Sequence, residues 1–213
     1  MAANSVSQLL SHQQENSLLD VIDDCSTEDI SSLIELIETP PLYPDRQRTI
    51  TVNTNNLGAK ISNIGRLNAE TYDTQGLVYL SDDDVVLSQR FGLELAKLIA
   101  LMRNDPDIFA ASLFNVHNPW HLETEDYGVN HVCKSSFGSV SMLIRAKDFR
   151  GAVDHYLTPD YDGISGCDWS ICHFAKKLNK KLVATRMSYI QHIGLYGVNN
   201  SPLVNDFADN FVE

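Results

Sequence analysis

Short apolar runs that end in aspartates, followed by apolar residues at helical spacing, constrain this chain more than any other feature. Leu18-Leu19-Asp20-Val21-Ile22 runs into Asp23-Asp24, and Leu77-Val78-Tyr79-Leu80 runs into Ser81-Asp82-Asp83-Asp84. Runs of this kind fit strands buried on both faces, with polar groups at their carboxyl ends. After the first run, Ile30, Leu33, Ile34 and Ile37 predict a helix, with Ser26 or Thr27 as its N-cap and Pro40-Pro41 as its stop. Thr49 to Val52 reads as the next strand, and Ile61, Ile64, Asn68 and Ala69 as one side of a further helix. After the acidic run, Leu87, Phe91, Leu95, Leu98 and Met102 predict a long helix.

The same reading continues to the end of the chain. Residues 108–114 and 139–145 read as strands separated by a polar loop from Asn115 to Ser136. A helix from about Asp168 to Asn179 is expected to bury Ile171, Phe174, Ala175 and Leu178 and to turn Lys176 and Lys177 to water. Residues 182–185 and 187–191 close the pattern as strands. Strand–helix alternation predicts an α/β domain with a largely parallel sheet flanked by helices. Ligands in such sheets sit beyond the carboxyl ends of strands, where both acidic clusters fall.

Composition narrows the function. With 213 residues, 43% of them hydrophobic, the chain can bury the core of one sizeable domain. Its formal net charge of -12 excludes a duplex nucleic-acid binder, which needs Lys and Arg to neutralise phosphates. A nucleotide ligand stays possible, because a bound divalent cation reverses the sign of an acidic site. Cys25, Cys133, Cys167 and Cys172 show no C-x-x-C spacing, which argues against structural zinc and fits a reducing compartment. No signal peptide and no apolar run of membrane-spanning length is visible, so a cytoplasmic protein is expected. The polar segment 199–213 reads as a tail, compatible with further domains of a longer polypeptide.

The chemistry concentrates in two places. Three adjacent carboxylates at Asp82, Asp83 and Asp84 repel one another unless a cation offsets them, and Mn²⁺ or Mg²⁺ takes such oxygen ligands. His192, where a strand gives way to Ile193-Gly194, is a second candidate ligand, since neutral imidazole suits Mn²⁺. The plainer alternatives are a helix-capping aspartate with solvated neighbours and a hydrogen-bonded strand-end histidine. His117, His121, His131, His155 and His173 read as ordinary surface or loop residues. Asp168 begins a helix after a glycine-containing loop (Gly163 to Gly166), where it reads equally as an N-cap and as a carboxylate kept ionised by the helix terminus. Trp169 could be core or a sugar-stacking ring.

Five blocks in order resemble the GT-A fold glycosyltransferases, particularly the large inverting family two. They are Val21 to Thr27, similar to a strand ending in a DD-x-S turn; Asn56-Leu57-Gly58 with Gly65-Arg66-Leu67-Asn68-Ala69; Ser81 to Asp84, which matches D-x-D; Phe137-Gly138-Ser139 leading into Met142 to Arg145; and Gly166-Cys167-Asp168-Trp169 with the helix and strand after it. The resemblance covers about residues 18 to 195. It implies a Rossmann-like GT-A single domain, with residues 1–105 as the nucleotide-sugar half and 106–198 as the acceptor side. It departs from the family in two places. The usual first strand and T-x-N loop are replaced by a helix around Ser7 to Gln14, and Cys167 stands where an acidic residue is usual.

By that resemblance, Asp23 or Asp24 accepts from a uracil imide, Arg66 faces the base or diphosphate, and Asp82 and Asp83 serve the donor. Asp82, Asp84 and His192 hold the metal, and Asp168 is the general base. The implied activity is transfer of a hexose or deoxyhexose from a UDP-sugar to a hydroxyl of an oligosaccharide or glycoprotein acceptor, with inversion. A sugar nucleotidyltransferase is the nearest competing enzyme, but it would show a Gly-rich phosphate loop near the start. A haloacid-type phosphatase would carry its aspartates on the first strand. A glycan-binding module that kept the fold without chemistry is the non-enzyme alternative.

Overall fold

The computed structural model describes residues 2–13, 17–39, 46–56, 76–156, 167–194 and 207–213. The chain groups into two compact units, Met1–Asn68 and Ala69–Glu213. This division falls earlier than the functional boundary at 105/106 expected from the sequence.

The first unit is a strand–helix–strand motif with a helix in front of it. Helix α1 (Ala2–Ser11) precedes strand β1 (Ser17–Asp23), helix α2 (Ser31–Glu38) and strand β2 (Arg46–Val52). Strands β1 and β2 pair in parallel from Ser17↔Arg46 to Asp23↔Val52. Val6, Leu33 and Ile37 are buried together, with Leu19, Val21 and Ile50 packed against them. Helix α2 begins at Ser31, later than the expected cap at Ser26 or Thr27. Asp29 Oδ1 accepts the Ser31 N–H at 2.9 Å, whereas Ser26 turns back to Asp23.

The second unit carries a six-stranded sheet in the order β3-β8-β5-β9-β7-β6. Its strands are β3 (Leu77–Ser81), β5 (Ile108–Ser112), β6 (Glu123–Tyr127), β7 (His131–Lys134), β8 (Ser141–Arg145) and β9 (Lys181–Thr185). A separate pair joins β4 (Val85–Leu87) and β10 (Ile190–His192). The helices are α3 (Phe91–Asn104), α4 (Ala146–Tyr156) and α5 (Cys167–Lys177).

The protein is thus mixed α/β, but this sheet is mostly antiparallel. Only β5 and β9 pair in parallel; β3–β8, β5–β8, β7–β9 and β6–β7 are all antiparallel. The expectation of a largely parallel sheet failed because a run buried on both faces reads the same in either direction. Strand β8, inserted between β3 and β5, reverses the local polarity. Arg145 at its end donates to the carbonyls of Met102, Asp105 and Ile108, binding the end of α3 to the sheet.

Three further differences are local. Leu87 lies in β4, and the helix starts at Phe91, with Phe91, Leu95, Leu98 and Met102 as its buried stripe. The acidic run therefore turns into a short strand before any helix. In α5, Ile171 and Ala175 are buried as expected and Cys172 joins them, while Leu178, beyond the helix end, is exposed. The supposed loop 115–136 contains the β6–β7 hairpin, whose solvent-facing β6 has no apolar alternation. The helix expected over Ile61 to Ala69 lies outside the described residues. Among the described residues, no helix is long and apolar enough to cross a membrane.

Gly128 opens the β6–β7 turn with φ at 70°, and a Cβ there would meet nothing within 4 Å. Gly128→Ala therefore incurs only the left-handed backbone penalty, about 1 kcal/mol, seen as a lower urea midpoint. Gly128→Asn is expected to lose less, because asparagine tolerates that region.

Candidate metal and acid–base site

The site is built by strand pairing. Asp82 and Asp84 lie in the turn between β3 and β4. Strand β10 runs antiparallel to β4 in the register Ile190↔Leu87, Gln191↔Val86, His192↔Val85. The ladder continues one step further, Ile193 N–H donating to the Asp84 carbonyl at 2.9 Å. That register delivers the His192 ring to the Asp84 carboxylate, with Nε2 3.2 Å from Oδ1.

Asp82, Asp84 and His192 form a group whose ligand-capable atoms all lie within 4.8 Å of one another. The three are partly buried, whereas Asp83 between them is exposed. The structure thus brings together the Asp82, Asp84 and His192 named from the sequence as metal ligands, and leaves Asp83 outside the group.

Two features test whether a cation fits. Asp84 Oδ1 is buried without a well-aligned hydrogen bond, although His192 Nε2 is close. Such an oxygen is costly unless a stronger partner meets it. Gly194 also closes tightly on the group: a Cβ there would lie 1.8 Å from Asp84 Oδ2 and 2.9 Å from His192 Nε2. Any side chain there would force the Asp84 carboxylate to move. Two carboxylates and an imidazole suit Mn²⁺ better than Mg²⁺, which favours an all-oxygen shell.

The electrostatics separate the two aspartates. Burial pushes the Asp82 carboxyl up to about 6, with repulsion from Asp84 and, more weakly, Asp168 adding to it. His192 and the Ser139 hydroxyl oppose that rise, Ser139 Oγ donating to Asp82 Oδ1 at 3.2 Å. Asp84 lies below the usual carboxylate range, chiefly because His192 stands beside it.

Asp168 sits in the first described turn of α5. A Cβ on Gly138 would lie 3.7 Å from Asp168 Oδ2. Residues 138 and 139 therefore run beside both acids, Gly138 near Asp168 and Ser139 hydrogen-bonded to Asp82. Phe137 completes the contact through its carbonyl, 3.6 Å from Cys172 Sγ on α5.

Asp23 and Asp24 belong to the first unit. There Asp23 accepts the Ser26 N–H at 3.2 Å, and Asp24 Oδ1 accepts from Asn53 Nδ2 at 2.9 Å. This is the turn-forming role open to any aspartate after a strand. Arg66 and Gly163 to Gly166 lie outside the described residues. Sequence reasoning missed Ser139 as a partner of Asp82, and it missed the closeness of Gly194. Neither carries a motif, since both act through tertiary approach. No protein-family model and no curated protein matches the chain.

A carboxyl whose folded-state pKa is raised holds its proton more tightly in the fold than in the open chain. The stability Asp82 lends is thus fully present below its ordinary value of 3.8 and is lost as pH rises through about 6. Asp82→Asn is expected to stabilise the metal-free protein at pH 7 by about 1–3 kcal/mol in urea unfolding. The gain should vanish below about pH 4, where both states of the parent are protonated. The same substitution should abolish any thermal shift produced by Mn²⁺.

Proposed function

We propose that the chain is a metal-dependent glycosyltransferase of GT-A type, transferring a hexose or deoxyhexose from a UDP-sugar to a hydroxyl of an acceptor glycan. The observation that carries this reading is the convergence of Asp82, Asp84 and His192, with Asp168 reached from it across Gly138 and Ser139. The family-two-like order of the sequence blocks supports it. A nucleotidyltransferase accounts less well for a separate carboxylate at the start of α5.

When bound, Mn²⁺ supplies charge neutralisation to a departing diphosphate. Asp82, Asp84 and His192 would hold it, and Gly194 lets the backbone pass close to Asp84 and His192. Asp168 then takes the proton of the attacking acceptor hydroxyl, as a carboxylate kept ionised by the first turn of α5. One base on the acceptor side corresponds to inversion at the anomeric carbon. The uracil-facing role of Asp23 or Asp24 and the phosphate role of Arg66 belong to this proposal by resemblance.

Calorimetry should show UDP binding that requires Mn²⁺ and disappears in Asp84→Ala. Asp168→Asn keeps the size of the side chain and removes its basicity. Donor binding should survive, while transfer falls by about a hundred- to ten-thousand-fold. UDP binding indifferent to a chelator, or a retained anomeric configuration by NMR, would count against the mechanism.

A further inference from the structure

Within the segment read from the sequence as a polar tail, residues 207–213 pack on the link between β9 and β10, just before the strand that carries His192. Ser188 N–H donates to the Asn210 carbonyl at 3.2 Å, and Val212 N–H to the Ser188 carbonyl at 2.9 Å. The two bonds make a parallel bridge between Ser188 and Phe211. Asn210 Nδ2 also donates to the Arg186 carbonyl at 2.6 Å, and Ala208 is buried.

A second support for the same link comes from residues 113–116. Tyr189 N–H donates to the Leu113 carbonyl at 2.8 Å, and the buried Ser188 hydroxyl accepts the Asn115 N–H at 2.8 Å. The Asn115 side chain accepts from the buried Lys134 Nζ at 2.8 Å and donates to Glu123 Oε1 at 3.0 Å. His117 then ties this network to residues 207–213. Its Nε2 lies 3.0 Å from Glu123 Oε1, and its Nδ1 lies 3.3 Å from Asp209 Oδ1.

Ionised carboxylates only accept hydrogen bonds, so both contacts are hydrogen bonds only when both ring nitrogens carry hydrogen. That is the imidazolium form. A neutral ring must turn one lone pair toward a carboxylate oxygen. The contact to Asp209 is the longer and the more exposed of the two, so it is the one that weakens. Among the described residues, the charged groups facing His117 are Glu123 on β6 and Asp209, with Lys134 of β7 behind Glu123.

We propose that residues 207–213 form a proton-operated clasp. The His117 imidazolium bridges Glu123 and Asp209, closes the segment onto Ser188 and so supports the strand that presents His192. Protonation favours closure, and the clasp loosens as pH rises through the range in which imidazole titrates. Carboxylates ordinarily titrate well below that range, and Asn115, helped by His117 and Lys134, holds Glu123 lower still. The charge on the ring is therefore what changes.

The test is amide hydrogen exchange by NMR on the metal-free protein, with a chelator present and rates corrected for the intrinsic effect of pH. Protection of the Val212 amide should fall about twofold to fivefold between about pH 5.5 and 8, the span of an exposed ion pair. Asp209→Asn keeps an acceptor oxygen and removes the charge, so that dependence should disappear. His117→Gln should hold protection at the lower value at every pH. Val212→Pro removes the N–H that Ser188 accepts, and Asn210→Ala is a milder release. In both, the Ile193 amide, which donates to the Asp84 carbonyl one step past β10, should exchange faster. A Val212 amide indifferent to pH overturns the proposal, as does an Asp209→Asn variant that keeps the parent's dependence. An Ile193 amide unmoved by either release overturns the support of β10.

Discussion

The approach of the Gly194 backbone to the Asp84 carboxylate is the constraint on which the candidate site depends. It requires β10 to pair with β4 in one register, because a shift by one residue would turn His192 to the opposite face. It is also tightest with a residue without a side chain at the point where the strand ends, since a Cβ would fall 1.8 Å from Asp84 Oδ2 and displace that carboxylate. Burial raises the Asp82 carboxyl first and the nearness of Asp84 adds to it, and that same nearness brings Asp82, Asp84 and His192 within 4.8 Å of one another.

The short run from Ser136 to Ser139 does for the acid–base side what Gly194 does for the metal side. Each residue meets a different part of the site: Ser136 orients His121, Phe137 meets α5 at Cys172, Gly138 admits Asp168, and Ser139 donates to Asp82. Strand β8 anchors this run, because its register against β3 places Ser141 opposite Ser81. The antiparallel insertion of β8 between β3 and β5 is therefore what carries these four residues to the acidic turn.

How much of this was legible from sequence depends on whether the signal was local. Strands β1, β3, β5 and β9 announce themselves as apolar runs, and the stripe of α3 repeats at helical spacing, so local hydrophobic pattern identifies them, although β1 and β3 are only partly buried. Asp82, Asp84 and His192 were legible because each sits where an apolar strand ends in a polar or glycine-bearing turn. Strand direction was not legible, since β5 and β8 have the same fully buried character yet run oppositely. The β6–β7 hairpin was hidden because Glu123 to Asp126 all face water, leaving no period to read. His117 was hidden for a different reason. Its environment comes in part from Asp209, which lies far along the chain and meets it only in the fold.

The division of labour among the carboxylates follows from how each is surrounded. Asp84 is held ionised by an adjacent imidazole, and Asp82 is pressed toward its neutral form by burial and by its neighbours. A pair tuned this way is poorly satisfied on its own. It gains most from a centre of positive charge, which would remove the repulsion between the two acids and supply the buried Asp84 oxygen with a partner. Asp168 adds to the same negative field but stands in the first turn of α5, where backbone N–H groups favour the charged form. A cation at the first site would therefore weaken the repulsion Asp168 feels while leaving its helix-terminal support intact. Asp82 and Asp168 are thus coupled through charge, Asp168 adding the smallest contribution to the rise at Asp82.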